Sequence, residues 1–286
     1  MAVVLEIPDG DPHWYLSPNV WAVPGSDPTG PEGAPVAGQS CFLWARVTNT
    51  GSTGVSNATV RFYWANPSVG FDRNSANLVG ISYVNLNPGE TAEVLCLAPW
   101  IPEYVNDGHE CILAEAYHDS QDPLPATAAF NVPTDRHVAQ RNLSVVRIAS
   151  KSFSFAFMIV NTQRNARKFV VRVRQTGLSK FKDIRKFLGK GFVIPEKEGK
   201  LVRSAFVDRL CPDKNDLDSG KKEITVKVEG NARVGKTLVG EIEGPAALIH
   251  IEQLVDDTLV GGLAVLVLAG REQEEEEKAQ KKRGAK

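Results

Sequence analysis

Short apolar runs, each ended by turn-forming residues after roughly ten positions, dominate the first 135 residues of the chain. The runs are rich in aromatic and β-branched side chains, which favour strands, and Asn, Pro and Gly separate them. No helical pattern interrupts them, which argues against a parallel sheet of alternating strands and helices. Strands at this spacing are typical of an antiparallel β-sandwich. The predicted strands cover residues 40–47, 58–64, 78–86, 91–97, 110–117 and 126–132.

A proline-rich segment precedes these strands. Seven of the 17 prolines fall within residues 8–35, and a proline cannot donate a hydrogen bond to a strand ladder. We therefore predict an extended lead-in, with at most one edge strand near residues 20–23.

Two turn motifs of this half resemble a known family. Residues 47–51 read V-T-N-T-G, and residues 86–90 read L-N-P-G-E before an apolar strand. Asn and Gly tolerate the left-handed backbone that ends a strand, and Pro-Gly builds a turn into the next one. With the strand at 60–64, they resemble the CARDB domains (cell-adhesion-related domains found in bacteria) over about residues 17–133. The resemblance implies an immunoglobulin-like sandwich without catalysis, often an accessory module of a larger surface protein.

The second half repeats this pattern in a divergent form. Residues 153–160 and 169–174 flank an Asn-containing turn. One short amphipathic helix is predicted by the helical spacing of Leu178, Phe181, Ile184 and Leu188. Residues 190–221 are predicted to be loop-rich. The predicted fold class is thus all-β, with tandem antiparallel immunoglobulin-like β-sandwiches and one short helix in the second. Its further predicted strands cover residues 222–229, 238–242, 247–254 and 259–269.

Charge divides the chain at the same place. Residues 1–135 carry three basic and fifteen acidic side chains, a net −12, whereas residues 136–286 carry 30 basic and 19 acidic ones, a net +11. This change of net charge near residue 135 indicates a domain boundary there. The predicted units are a lead-in (1–16), an acidic sandwich (17–135), a basic β-rich, sandwich-like domain (136–270) and a charged tail, helical or disordered (271–286).

Aromatic side chains provide the first candidate binding surface. Alternate residues of a strand share a face, so Phe42 and Trp44 lie opposite the predicted core face of strand 40–47. With Tyr63 they are candidates for a platform that contacts a sugar or a protein loop. The alternative is that the lead-in, with Trp14 and Trp21, covers them, because large apolar patches rarely stay exposed.

A basic stretch provides the second candidate. Residues 163–203 hold thirteen Lys or Arg against three acidic residues. The favoured interpretation is a surface for an acidic protein, and the alternative is ordinary solvated charge. Nucleic acid and membrane are the least favoured partners, and the Phe residues nearby look like core rather than base-stacking groups. The opposed charges also permit internal docking against residues 103–110, or self-association between chains. The candidate contact residues are Arg172 and Arg174 on one strand face and Lys182, Arg185 and Lys186 beside the helix.

The segment from Gly230 to Thr237 matches the phosphate-binding pattern G-x-x-x-x-G-K-T, in which Gly235 and Lys236 would contact phosphates and Thr237 would hold magnesium. A working site must open a helix, but two glycines and a proline follow within residues 238–245. A turn between strands is the preferred interpretation, and a nucleotide-binding enzyme is the alternative function.

The sequence gives only weak indications of a metal site or of a disulfide. The acidic cluster at residues 213–218 lacks the carboxylate that a calcium loop needs at its twelfth position, and His118 with Asp122 forms at most half a metal site. Cys41 and Cys111 fall near the disulfide positions of immunoglobulin domains. Residues 1–10 show no secretory signal, so we expect four free thiols and, by default, a cytoplasmic location, although the resembled family is often on the cell surface.

Together these observations favour a non-enzymatic binding or scaffold module of bacterial type. It would recognise a protein partner, with a glycan as a further possibility, through a β-sandwich surface. We expect no catalytic residues, no metal and no cofactor.

Overall fold

The computed structural model describes residues 2–10, 13–103, 110–180, 184–189, 194–208, 216–217 and 220–270. These residues form sixteen strands and one short α-helix, α1 (Ile184–Leu188), which follows a 3-10 turn at Leu178–Lys180. None of the described helices is long and apolar enough to cross a lipid bilayer. In chain order the strands are β1 (Leu5–Glu6), β2 (Val20–Pro24), β3 (Cys41–Asn49), β4 (Val55–Ala65), β5 (Asn77–Leu86), β6 (Thr91–Leu95), β7 (Cys111–Tyr117), β8 (Val138–Arg141), β9 (Leu143–Ile148), β10 (Ser152–Asn161), β11 (Arg167–Thr176), β12 (Lys200–Val207), β13 (Glu223–Val228), β14 (Ala232–Glu243), β15 (Ala246–Val255) and β16 (Thr258–Ala269).

The first β-sandwich consists of two antiparallel sheets. In sheet A, β3 pairs with β1, β2 and β6, and sheet B has the order β5-β4-β7-β8. Buried and half-buried residues alternate along β3, so that Leu43 and Ala45 point inward, as the sequence predicts. They share one apolar core with Phe62 of β4 and Ala114 of β7. Burial of this core face is what holds the two sheets together.

The second β-sandwich repeats this arrangement. Sheet C has the order β10-β14-β12, and sheet D has the order β13-β11-β15-β16-β9. Phe155 and Phe157 of β10 face Ile249 and Val265 of sheet D across a second apolar core. The pairing is antiparallel except between β16 and β9, which run parallel. The prediction of an all-β fold with tandem immunoglobulin-like sandwiches and a short helix is therefore confirmed.

The outer face of sheet D is covered by distant parts of the chain. Tyr15 and Leu16 of the lead-in pack there beside Phe187 of α1. The apolar stripe of the predicted helix thus does face a core, although Phe181 lies outside the described residues.

Some predicted elements differ from the structure. Residues 126–132 form no strand, apart from an isolated bridge between Asp72 and Ala129. Phe130 and Val132 instead lie as a cover on the outer face of sheet B, which gives the segment its apolar character. The region predicted to be loop-rich contains β12, whose Lys and Arg residues obscure its alternation. The strands β8 and β9 are further elements that the sequence pattern does not indicate. The tail at 271–286 lies outside the described residues.

Strand pairing changes between the two sandwiches at Asn142. The preceding strand, β8, pairs with β7, and the following one, β9, pairs with β16. The side chain of Asn142 is fully buried, and its Nδ2 donates to the carbonyl oxygens of Ser68 and Gly262, both at 2.7 Å. This amide therefore fastens the two sandwiches to each other.

Candidate functional site

The structure places Trp44 beneath the proline-rich segment at residues 8–35 rather than in open solvent. Its indole stacks on that of Trp21, with ring centroids 6.0 Å apart and planes 5° from parallel, and its Nε1 donates to the carbonyl of Pro28 at 3.0 Å. The guanidinium of Arg46 lies 5.5 Å from the Trp21 ring. Phe42, opposite Val23 in the register, is half-buried as well. Of the two tryptophans that the covered alternative names, Trp21 lies over Trp44, whereas Trp14 packs elsewhere, against the apolar clusters around Tyr15 and Tyr63.

Tyr63 lies away from Trp44, on the outer face of sheet B. It is buried, and its hydroxyl donates to Oε1 of Glu115 at 2.6 Å. Glu115 is itself fully buried and also accepts from Nε of Arg73 at 2.7 Å, while Arg61 stands 3.6 Å from the same carboxylate. Because a buried carboxylate needs charged partners, this cluster fixes both arginines on the face. Burial, followed by the bond to Glu115, raises the pKa of Tyr63 well above its ordinary value.

Beside this cluster, one row of apolar side chains remains exposed. Leu78, Ile81 and Tyr83 of β5 are 52%, 40% and 66% exposed. They stand opposite Tyr63, Arg61 and Thr59 of β4, so all three lie on the outer face of sheet B. We call Leu78, Ile81, Tyr83 and Arg61 the β5 face.

The cover formed by residues 126–132 ends before it reaches the β5 face. Phe130 packs against Tyr63 with ring centroids 5.2 Å apart, and the Arg73 guanidinium lies 5.0 Å from the Phe130 ring. Farther along the sheet, the Arg61 guanidinium rests 5.0 Å from the ring of Tyr117. Within the β5 face, Arg61 is therefore held by Glu115 and Tyr117, while Leu78, Ile81 and Tyr83 stay exposed to solvent.

The strand that carries this face is also an edge. In the described sheet, β5 pairs with β4 on one side and with no strand on the other. Its ten residues, N-L-V-G-I-S-Y-V-N-L, include no charge and no proline. Natural edge strands are usually protected by such residues, and an edge without them is a template for pairing with another chain.

The predicted basic contact residues are distributed differently. Arg172 bonds to Glu252 at 2.7 Å, and Arg174 lies 3.9 Å from the same carboxylate, which is buried in β15. These two arginines therefore neutralise an acid of their own sheet. On α1, the side chain of Lys186 is exposed; Lys182, the side chain of Arg185 and the acidic residues 104–109 lie outside the described residues.

The segment that resembles a phosphate-binding loop is a strand. Gly230 and Asn231 form the turn between β13 and β14, with Asn231 in the left-handed region at a φ of 52°. Gly235, Lys236 and Thr237 belong to β14 and pair with β10. Thr237 is 1% exposed, and Lys236 forms an ion pair with Asp208. Since no helix begins here, the geometry that would bind phosphate is missing from this segment.

Thiols and metal ligands form no reactive centre in the described part of the chain. Cys41, Cys96 and Cys111 are free and buried, and burial raises the pKa of the Cys41 thiol to about 12. Asp122 is buried, accepts from the backbone N–H of Leu5 at 2.6 Å and pairs with Arg136. The described residues contain no group of three metal ligands.

Comparisons with known proteins yield similar solved structures only. No family model matches the chain, and no curated protein does. One similar structure is a CARDB domain from Pyrococcus furiosus in complex with di-metal ions, at 19% identity over 43% of this chain and 82% of that one, with a TM-score of 0.27. This structure belongs to the family that the motifs at residues 47–51 and 86–90 resemble.

Two other similar structures are less alike in sequence. Red sea bream transglutaminase is 12% identical over 88% of this chain and 31% of its own, with a TM-score of 0.23. The calcium binding domain CBD12 of CALX1.1 is 14% identical over 76% of each chain, with a TM-score of 0.19. The sheets and their pairing, rather than these low scores, define the fold.

Proposed function

We propose that this chain is a non-enzymatic binding module that recognises a protein partner through the β5 face. An extended segment of the partner would pair with the free edge of β5. The observation that carries this proposal is the row Leu78, Ile81 and Tyr83, exposed on an edge strand that has no charged residue.

Strand addition uses two kinds of contact that β5 offers together. Free backbone groups along the edge give affinity, and alternate side chains on the sheet face give specificity. Tyr and Arg dominate the binding energy of many protein interfaces. Here Tyr83 is exposed, and Arg61 is held in place by Glu115 and Tyr117. Because these contacts already hold the Arg61 side chain in place, binding would lose less side-chain entropy.

Selection from a displayed library of random peptides tests the proposal without knowledge of the natural partner. The wild-type chain serves as bait, and every enriched peptide is measured again on the double variant Ile81→Lys, Tyr83→Lys. We expect enriched peptides with alternating apolar residues, and at least about tenfold weaker binding to the double variant, because two lysines on an edge oppose pairing.

Val202 supplies a matched control, because it is an apolar strand residue that is 47% exposed in the second sandwich. The Val202→Lys variant should bind the peptides as the wild type does. Failure to enrich any peptide, or equal binding to the wild type and the double variant, would contradict the proposal.

A further inference from the structure

A polar groove lies where the two sandwiches meet, and it shares no residue with the β5 face. It consists of two adjoining cavities, of about 320 and 200 Å³, that share the segment from Val160 to Thr162. Residues 70–75 and 127–131 line it from the first sandwich, and residues 160–167 and 231–233 line it from the second. The larger cavity lies within the size range of small-ligand sites.

The groove is preformed, because backbone bonds hold its two walls together. The N–H of Val69 donates to the carbonyl of Met158 at 3.0 Å, and the N–H of Met158 donates to that of Pro67 at 3.1 Å. A Cβ on Gly261 would meet the Val69 carbonyl oxygen at 1.5 Å, so glycine permits this close approach. A ligand would therefore find the walls already in place.

One buried polar atom of the wall has no partner. Gln253 lines the larger cavity, is 2% exposed and donates through Nε2 to the carbonyl of Val160 at 3.2 Å. Among the described residues, no donor reaches its Oε1. A buried acceptor without a donor is costly, and a ligand hydroxyl would satisfy it.

Two arginines add positive charge to the same groove. Arg167 lines the larger cavity and Arg233 the smaller one, and both are exposed. Within the described residues, neither forms an ion pair or a side-chain hydrogen bond. The acidic lining residue Asp72 is already engaged, because its Oδ1 accepts from the N–H groups of Asn74 and Ser75. The groove therefore offers guanidinium donors for a carboxylate.

We propose that this groove binds a short acidic oligosaccharide, whose units carry both hydroxyls and carboxylates. A sugar hydroxyl would donate to Oε1 of Gln253, and carboxylates would pair with Arg167 and Arg233. The amide and hydroxyl side chains of Asn131, Thr162 and Asn231 also line the groove and match further sugar hydroxyls. This ligand class supplies at once the donor and the acceptors that the walls lack.

Calorimetric titration of the whole chain with trigalacturonate tests the proposal. We expect saturable binding to the wild type, weakened about tenfold in Arg167→Gln and in Arg233→Gln, because each removes a charge-assisted bond. Gln253→Met, which keeps the length of the side chain but removes the acceptor, should also weaken binding. Lys168→Gln removes a charge from the next residue of the same strand, outside the groove, and should leave affinity unchanged.

Two further ligands separate sugar recognition from simple attraction of anions. The methyl ester of trigalacturonate keeps the rings without the charge, and tricarballylate keeps three carboxylates without the rings. Both should bind at least about tenfold more weakly than trigalacturonate. Absence of binding at millimolar trigalacturonate, equal binding of tricarballylate, or equal loss in Lys168→Gln would overturn the proposal. The Ile81→Lys, Tyr83→Lys variant should bind the sugar normally, so failure of the proposed protein interaction would not affect this test.

Discussion

The hydroxyl of Tyr15 lies 2.7 Å from Nδ1 of His250 and joins the N-terminal lead-in to sheet D. Both side chains are fully buried, and Nε2 of His250 lies 2.7 Å from the hydroxyl of Thr176. The ring of His13 stacks on that of His250 with centroids 4.1 Å apart. A lead-in that the sequence describes only as extended is thereby fixed to the second sandwich.

This contact predicts a loss of stability in mild acid. Burial, followed by the charges of His13 and Arg174, lowers the pKa of His250 from 6.5 to about 3. The unfolded chain therefore binds a proton between about pH 6.5 and 3 that the folded chain excludes, so stability falls as pH falls through this window. Between pH 7 and 5 the loss from this group is about 2 kcal/mol. Urea unfolding at both pH values should show a smaller loss in His250→Gln; parallel pH dependence of the two chains would be the contrary result.

The carboxylate of Glu115 predicts a large mutational effect. Glu115→Gln leaves Arg73 without its counter-charge on a largely buried face, and breaking such a pair costs about 3 kcal/mol. Glu93 forms an exposed pair with Arg46, so Glu93→Gln should cost at most about 1 kcal/mol. Chemical denaturation of both variants checks the contrast. Equal destabilisation would show that Glu115 does not anchor the β5 face.

We predict that Trp44 stabilises the fold and is not available to bind a partner. Trp44→Ala removes the stack on Trp21 and the bond to Pro28, and should lower the free energy of unfolding by about 2 kcal/mol. Denaturation followed by tryptophan fluorescence measures this. An unchanged stability would instead mean that the ring is available for a partner.

The position of Lys236 in a strand predicts that nucleotide does not change the melting temperature. Because Gly235, Lys236 and Thr237 lie within a strand, ATP with magnesium should not raise the melting temperature of the wild type. The variant Lys236→Ala should respond in the same way. A shift in the wild type that disappears in this variant would restore the enzyme alternative.

The sequence alone predicts which residues of a strand form the core, because this depends only on the alternation of apolar residues along that strand. The alternation along β3 predicted which residues form the core. It could not decide what covers the opposite face, because Trp21 reaches Trp44 through pairing between β2 and β3. Residues 126–132 have strand-like composition for another reason, namely that Phe130 and Val132 cover sheet B.

Contacts between distant residues set the remaining limits. Arg172 looks like a free cation in sequence, yet its partner, Glu252, lies 80 residues away on the neighbouring strand. The junction groove combines four separate segments, which no local pattern connects. The absence of charge along β5 is no signal by itself, because residues 47–60 of the same half are also uncharged. Its significance depends on β5 lying at an edge, which only the topology reveals.

Hydrogen–deuterium exchange along β5 reports directly whether a partner segment pairs with this edge. The free chain is compared with the chain saturated by a peptide selected on it. Because strand addition would bond the open edge, the peptide should slow amide exchange within Asn77–Leu86 by at least about tenfold, with no change in β12. Unchanged exchange in β5, with protection appearing elsewhere, would contradict the claim that this edge is where the partner binds.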